Sequence, residues 1–170
     1  MSKLEKLFEN ILERDEKIVK IYKPNKKAYR TNVFIWALIP LTWPFYLLML
    51  TIGLPIFLPI YKAYYNKRGY AITNKRIIVR GGIIGVDFKV MSIESMNASV
   101  LKVGFIDKVA RANTGTIEFG SQSTPIGARA TNGGAANPFI FAHIQDPYKE
   151  HKEIQEHVDK VRESKRKVSK

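Results

Sequence analysis

The run from Thr31 to Tyr61 constrains this chain most: it contains no Asp, Glu, Lys, Arg or His and is filled with Leu, Ile, Phe and Trp. A membrane-spanning helix needs roughly 20 apolar residues, whereas a buried core helix uses about 10–14. The run exceeds both. A helix apolar on every side must lie in lipid or inside a large protein, and a chain of 170 residues does not supply the second. The block is therefore read as membrane-embedded. A long polar stretch precedes it, with no short basic n-region and no A-x-A site, so it is not a secretory signal and is expected to persist in the mature chain.

Its internal chemistry sets two arrangements against each other. Pro40, Pro44, Pro55 and Pro59, with Gly53 among them, argue against a straight helix, because proline lacks the N–H and kinks what it interrupts. As one helix the block would rise ~43 Å, enough for one tilted span and too little for two. Charge points the other way. Lys26, Lys27 and Arg30 precede the block, and Lys62, Lys67 and Arg68 follow it. Basic flanks stay on the cytoplasmic side, so both ends prefer one face. That favours a hairpin turning near Pro40–Pro44 or Gly53–Pro55. Tyr61, Tyr64 and Tyr65 suit the interface at the exit.

The formal net charge is +13, and the excess is largest just after the block: residues 62–112 carry 10 basic and 3 acidic groups. Cations near a bilayer are attracted to anionic lipid by roughly 1 kcal/mol each. With no cysteine there is neither a disulfide framework nor thiolate chemistry, which fits a reducing interior.

Around the block the texture differs on the two sides. Leu4, Leu7, Phe8, Ile11 and Leu12 recur at helical spacing, predicting an amphipathic helix over residues 2–14, packed on the protein or lying in the membrane interface. Lys20 to Arg30 reads as a basic connector that Pro24 and Asn25 keep from being helical. After Lys62 the pattern becomes β. Tyr70–Thr73 and Arg76–Arg80 are short strands around an Asn74-Lys75 turn, and Gly81-Gly82 is a hairpin signal. Ile84, Val86, Phe88 and Val90 alternate with polar residues as a half-buried strand does. Further strands are expected around Ile93–Lys102, Thr116–Phe119 and Pro138–Ile144. Residues 121–137, rich in Ser, Gly, Ala and Asn, read as a long flexible loop. Asp146-Pro147 opens a last helix, Asp as N-cap and Pro at the first position, with Tyr148, Ile154, Val158 and Val161 on its apolar side. Lys165, Arg166, Lys167 and Lys170 form a basic tail.

An antiparallel sheet closed by one C-terminal helix is the layout of a pleckstrin-homology domain. The segment Tyr70-Ala-Ile-Thr73-Asn-Lys-Arg76-Ile-Ile-Val-Arg80-Gly81-Gly-Ile-Ile-Gly85 resembles the signature of the bacterial membrane-flanked PH-like domain family. Lys89–Ser95, Gly115-Thr116-Ile117 and the Asp-Pro helix start follow in that family's order, and Glu16–Pro24 resembles its lead-in to a hydrophobic helix. The likeness covers about residues 12–163. Two features depart from it: an apolar region shorter than the usual pair of spans, and a longer Gly/Ala-rich insert. The resemblance implies an α+β fold: a PH-like antiparallel β sandwich or barrel with a C-terminal capping helix, preceded by a membrane-embedded helical hairpin. The division is then 1–30 (amphipathic helix and basic connector), 31–65 (membrane segment), 66–164 (PH-like domain) and 165–170 (basic tail).

No motif for catalysis is present. His143, His151 and His157 lack metal-ligand spacing and read as surface or capping residues. Glu150, Glu153, Glu156 and Asp159 read as solvated. Gly81-Gly82 and Gly85 lack the Gly-Lys-Ser/Thr of a phosphate loop, and no serine sits in a Gly-x-Ser-x-Gly context. No cofactor and no metal is expected, and the chain is read as not an enzyme. The basic set Lys75, Arg76, Arg80, Lys89, Lys102, Lys108 and Arg111 has three readings: general attraction to anionic lipid, a solvated or partner-facing surface, or a headgroup pocket. Arg76 has the further option of a structural role in its strand. The candidate anionic-lipid contacts are Lys62, Lys67, Arg68, Lys75, Arg76, Arg80 and Lys89.

The expected function is a non-enzymatic, membrane-anchored PH-like module at the cytoplasmic face of the cell membrane. Its expected partners are anionic phospholipid and a protein partner or a second copy. Two rivals remain. A nucleic-acid-binding basic protein is motivated by the charge but lacks a recognition motif. A membrane-bound assembly protein would oligomerise through the β-domain.

Overall fold

A computed structural model describes residues 4–37, 54–82, 85–127 and 137–168. Two antiparallel sheets stack face to face. The first has the order β1 (Ile18–Tyr22), β2 (Gly69–Thr73), β3 (Arg76–Gly81), β4 (Asp87–Ser92), and the second the order β5 (Met96–Lys102), β6 (Thr114–Ser121), β7 (Ile140–Gln145). Helix α1 (Lys26–Ala37) and helix α2 (Leu54–Lys67) lie between β1 and β2 in sequence, a short helix α3 (Phe105–Ala110) joins β5 to β6, and α4 (Pro147–Val168) closes the sandwich.

The period-two pattern explains the core. On β2, Tyr70 and Ile72 face the second sheet, meeting Ile77 and Met91 on their own sheet and Ile117, Phe119 and Phe141 opposite. The Tyr70 and Phe141 rings stack at 4.7 Å, and Phe119 meets Phe141 edge-on at 4.9 Å, offset geometries that aromatic pairs prefer. Ile154 and Val158 of α4 complete this layer. Every residue of β2 is buried, because its other face is also covered. Ala71 and Ile78 on that outer face meet Phe8, flanked by Leu7, Ile11, Leu12 and Phe88.

That covering segment corrects the expected amphipathic helix over residues 2–14. Among its described residues the chain makes two single 3₁₀ turns, Glu5–Leu7 and Glu9–Ile11, and is extended at Leu12. The apolar residues follow the sheet they cover, with Phe8 fully buried.

The basic connector is corrected too. Ile18–Tyr22 is a strand, paired with β2 in the register Tyr22↔Tyr70 and Ile18↔Thr73. Pro24-Asn25 starts a helix where it was expected to prevent one. The Asn25 side-chain oxygen accepts from the N–H groups of Lys27 (2.9 Å) and Ala28 (3.3 Å), an N-cap. Proline is tolerated in α2: Pro55 sits in its first turn, where the N–H would be unpaired, and Pro59 lies inside. The expected hairpin turns fall at residues outside the described set or at its margin. Among the described residues no helix is long and apolar enough to cross a membrane.

The other strands lie near their expected places. Ile93–Ser95 is a turn rather than the start of a strand, with Ser95 Oγ bonded to the Ser92 carbonyl. Helix α4 begins at Pro147 as expected, but Asp146 takes a left-handed φ of 48° and its carboxylate accepts from the Asn113 amide. Gly115 permits the junction: a Cβ there would lie 2.8 Å from Cβ of Pro147. The sequence signals Gly115-Thr-Ile and Asp-Pro are thus two sides of one close contact.

Candidate functional site

The sandwich has two ends of different chemistry. At one, β1 runs out into α1 and α2 runs back into β2; we call it the stem end. At the other are the β2–β3 and β4–β5 turns. From Gly69 to Thr73, at ~3.4 Å per residue, the two ends of β2 stand about 14 Å apart.

Tyrosines tie the stem together. The Tyr29 ring on α1 lies 5.3 Å from Tyr61, 6.4 Å from Tyr64 and 5.3 Å from Tyr65 on α2. The Tyr65 hydroxyl donates to the Pro24 carbonyl at 2.8 Å. Arg68 lies over the Tyr64 and Tyr29 rings, at 4.6 and 5.8 Å. Burial is the main reason the Tyr29 phenol is pushed up to about 12, with the neighbouring Arg68 opposing it, so that phenol stays neutral at any physiological pH. From the second sheet, the Asn25 N–H donates to the His143 carbonyl at 2.8 Å, and Asn25 Nδ2 to Gln145 at 3.1 Å. Helix α3 lies against α1. The Asp107 carboxylate, buried on α3, meets His143 Nδ1 at 2.9 Å, accepts from the Thr114 hydroxyl at 2.7 Å, and accepts from the Gly104 N–H at 3.2 Å. His143 is therefore buried joinery and not a surface group. His151 and His157 also have partners, Ser99 and the Thr73 carbonyl.

The candidate lipid contacts divide between the two ends. Lys62, Lys67, Arg68, Arg80 and Lys89 are at the stem end: Arg80 is opposite Gly69, and Lys89 pairs with Val79. Arg80 donates to the Lys67 carbonyl at 2.6 Å. Lys62 and Lys89 are exposed, as are Lys26, Lys27 and Arg30 of α1. Lys75 and Arg76 are at the other end and are paired there. Arg76 meets Glu16 in an ion pair and Glu13 at 3.1 Å, and also donates to the Ile11 carbonyl. Lys75 reaches Glu13 at 3.3 Å. Arg76 therefore holds the N-terminal segment on the sheet, the structural role open to it from the sequence. Burial works to raise the Glu16 carboxyl, but hydrogen bonds from Arg76 and Thr73 outweigh it and hold it down at about 2.

The same end collects further paired charge. Lys165 of the basic tail meets Glu94, and Arg162 donates to the carbonyls of Ile93 and Met96. Alongside α4, Lys20 bridges Glu150 and Glu153 at 2.6 and 2.7 Å, so those two carboxylates are not simply solvated. On β6, the buried Glu118 carboxylate receives Lys102, the Gly127 N–H at 2.6 Å and Asn137 at 3.3 Å. It thereby pins both described shoulders of the Gly/Ala-rich insert, whose residues 128–136 lie outside the described set.

Sequence reasoning did not single out α3, which presents two exposed apolar side chains at the stem end. Phe105 is 73% exposed and Val109 48%. Their one local signal is the Gly104-x-x-Asp107 spacing, in which the carboxylate accepts the Gly104 N–H.

The model of one family, the bacterial PH domain, matches residues 29–147. No curated protein and no solved structure gives a significant match. The matched region begins inside α1 and reaches the first residue of α4, so it contains the whole apolar block and, among the described residues, strands β2 to β7.

Proposed function

The chain belongs to the bacterial PH domain family, and we propose that it is a non-enzymatic module held on the cytoplasmic face of the cell membrane by a hairpin between β1 and β2, binding anionic phospholipid or a protein partner there. Domains of this kind are generally non-catalytic and bind lipids or proteins. One observation supports the hairpin topology: Tyr22, before the apolar block, and Tyr70, after it, are register partners on adjacent strands. A chain that leaves a sheet and rejoins it at the neighbouring position has both flanks on one side of any bilayer. The block would then go in and come back, as its two basic flanks favour. The surplus cations of the stem end support an anionic surface as the partner.

The absence of native cysteine makes the topology testable. Single substitutions Lys27→Cys and Asn66→Cys, both at exposed positions, are treated in intact cells with a membrane-impermeant thiol reagent. Both are expected to be protected until the cells are permeabilised, and the protein to stay in the membrane pellet after carbonate extraction. Labelling of either site in intact cells, or release by carbonate, overturns the proposal.

A further inference from the structure

Helix α3 is short and sits beside α1 at the stem end, and its outward side is apolar and basic. Phe105 and Val109 are four residues apart and so share a face. Lys108 lies beside them on the same turn and Arg111 follows, both exposed, whereas Asp107 and Ala110 on the opposite side are buried. Among the described residues neither Lys108 nor Arg111 has an ion-pair partner. Exposed apolar side chains grouped on one face and rimmed by polar or charged ones mark interaction surfaces. The neighbours narrow what that is. Helix α3 lies against α1, whose exposed Lys26, Lys27 and Arg30 add to the same basic surface. A hollow of about 210 Å³ separates α3 from the first turn of α4, lined by Lys108, Arg111, Asn113 and Tyr148, among others. Tyr148 is 70% exposed, an amphipathic ring of the kind that favours membrane interfaces. Apolar side chains flanked by cations at the foot of an apolar block complement a headgroup layer, negatively charged outside and apolar beneath.

We infer that the outward face of α3 is a second membrane contact, in which Phe105 and Val109 enter the headgroup layer and Lys108 and Arg111 meet anionic lipid phosphates. This rests on the anchored reading above and adds to it a fixed orientation: the domain lies on the bilayer along its α3 side and does not swing freely on its stem. A protein seated on the same face is the competing occupant.

The full chain is reconstituted into vesicles of zwitterionic lipid, with or without about a third phosphatidylglycerol, carrying a lipid-attached spin quencher at headgroup depth or, in parallel samples, on the acyl chain. An environment-sensitive fluorophore is placed on one cysteine at a time: Phe105→Cys, Leu48→Cys in the apolar block, or Gln122→Cys, exposed beyond the opposite end of β6. The expected result is strong quenching at 48 by the acyl-chain quencher in both lipids, with 105 and 122 compared by the headgroup quencher. At 105, quenching should be at least threefold above that at 122 and should depend on the anionic lipid. Adding Lys108→Glu and Arg111→Glu is expected to bring 105 down to the level of 122, leaving 48 unchanged. Equal quenching at 105 and 122, with 48 quenched, overturns this inference and spares the anchor. A probe at 105 that is shielded from water but not quenched by lipid assigns the face to protein and also overturns it. Absence of quenching at 48 overturns the anchored reading itself.

Discussion

The two ends of the sandwich carry similar side chains and use them differently. At the β2–β3 turn, Arg76 is locked to Glu16 and Glu13, Lys75 to Glu13, and, nearby, Lys165 to Glu94. At the stem end, Lys26, Lys27, Arg30, Lys62 and Lys108 are exposed with no ion-pair partner among the described residues. Charge at the turn end is consumed in holding the N-terminal segment and the C-terminal helix; these five stem-end cations have no such acidic partner among the described residues. A basic residue is informative about ligands only once its acidic neighbours are known, and those neighbours are often distant in sequence.

The largest test of this contrast is Arg76→Ala. Removing one partner of a largely buried ion pair strands the other, at a cost of about 3–5 kcal/mol. Urea denaturation should show that loss, while association with anionic vesicles changes little. Unchanged stability would place Arg76 back among the ligand contacts. Gly115→Ala comes next, because the added carbon meets the rigid Pro147 ring and the Lys102 carbonyl. Overpacking of this kind costs about 1–3 kcal/mol, readable as a lower midpoint in the same titration.

Acid should act on the turn end selectively. The Glu16 carboxyl is held down at about 2 against an ordinary 4.5. A depressed carboxyl contributes stability that is full above its unfolded value and is lost as pH falls through the folded one. Stability should therefore decline between about pH 5 and pH 2, and the decline should flatten in Glu16→Gln. An identical pH profile in that variant would remove Glu16 as its source. The smallest stability effect belongs to the stem end. Lys27→Gln, Arg30→Gln and Lys62→Gln should each shift stability by less than about 0.5 kcal/mol. Each should nonetheless weaken attraction to an anionic surface by roughly 1 kcal/mol. The ratio of anionic to zwitterionic lipid carried through detergent purification should fall several-fold in the triple variant. A large loss of stability there would erase the difference between the ends.

The contrast also separates what was legible in the sequence from what was not. Strands β2, β3, β4, β6 and β7 and helix α4 announce themselves through alternation, turn residues and the Asp-Pro start, all local signals. Strand β1 has β-branched residues, but its partner lies beyond the whole apolar block, so nothing nearby marks Ile18–Tyr22 as part of the sheet. The N-terminal segment has helical spacing that tertiary packing overrode, because Phe8 is worth more against Gly69 and Phe88 than in a solvated helix. Helix α3 is too short for periodicity and ends on a left-handed Arg111 in place of glycine. Of the seven candidate lipid contacts, the five that gather at the stem are those nearest the block in sequence or returning to it by strand pairing. Lys75 and Arg76 lie at the far turn, and the Glu13 and Glu16 that pair with them sit across the same long separation.

The pairing of Tyr22 with Tyr70 also has a consequence for biogenesis. Strand β1 is synthesised before the apolar block and its partner after it, so the first sheet cannot be completed until the block is placed. A block threaded through once would leave β1 on one face of the membrane and the remaining strands on the other, with one edge of β2 unpaired and Tyr70 lacking its neighbour. If the block is anchored as proposed, completion of the sheet acts as a check on insertion: only a chain whose two flanks emerge together can pair β1 with β2, and a misthreaded one is left with an open strand edge.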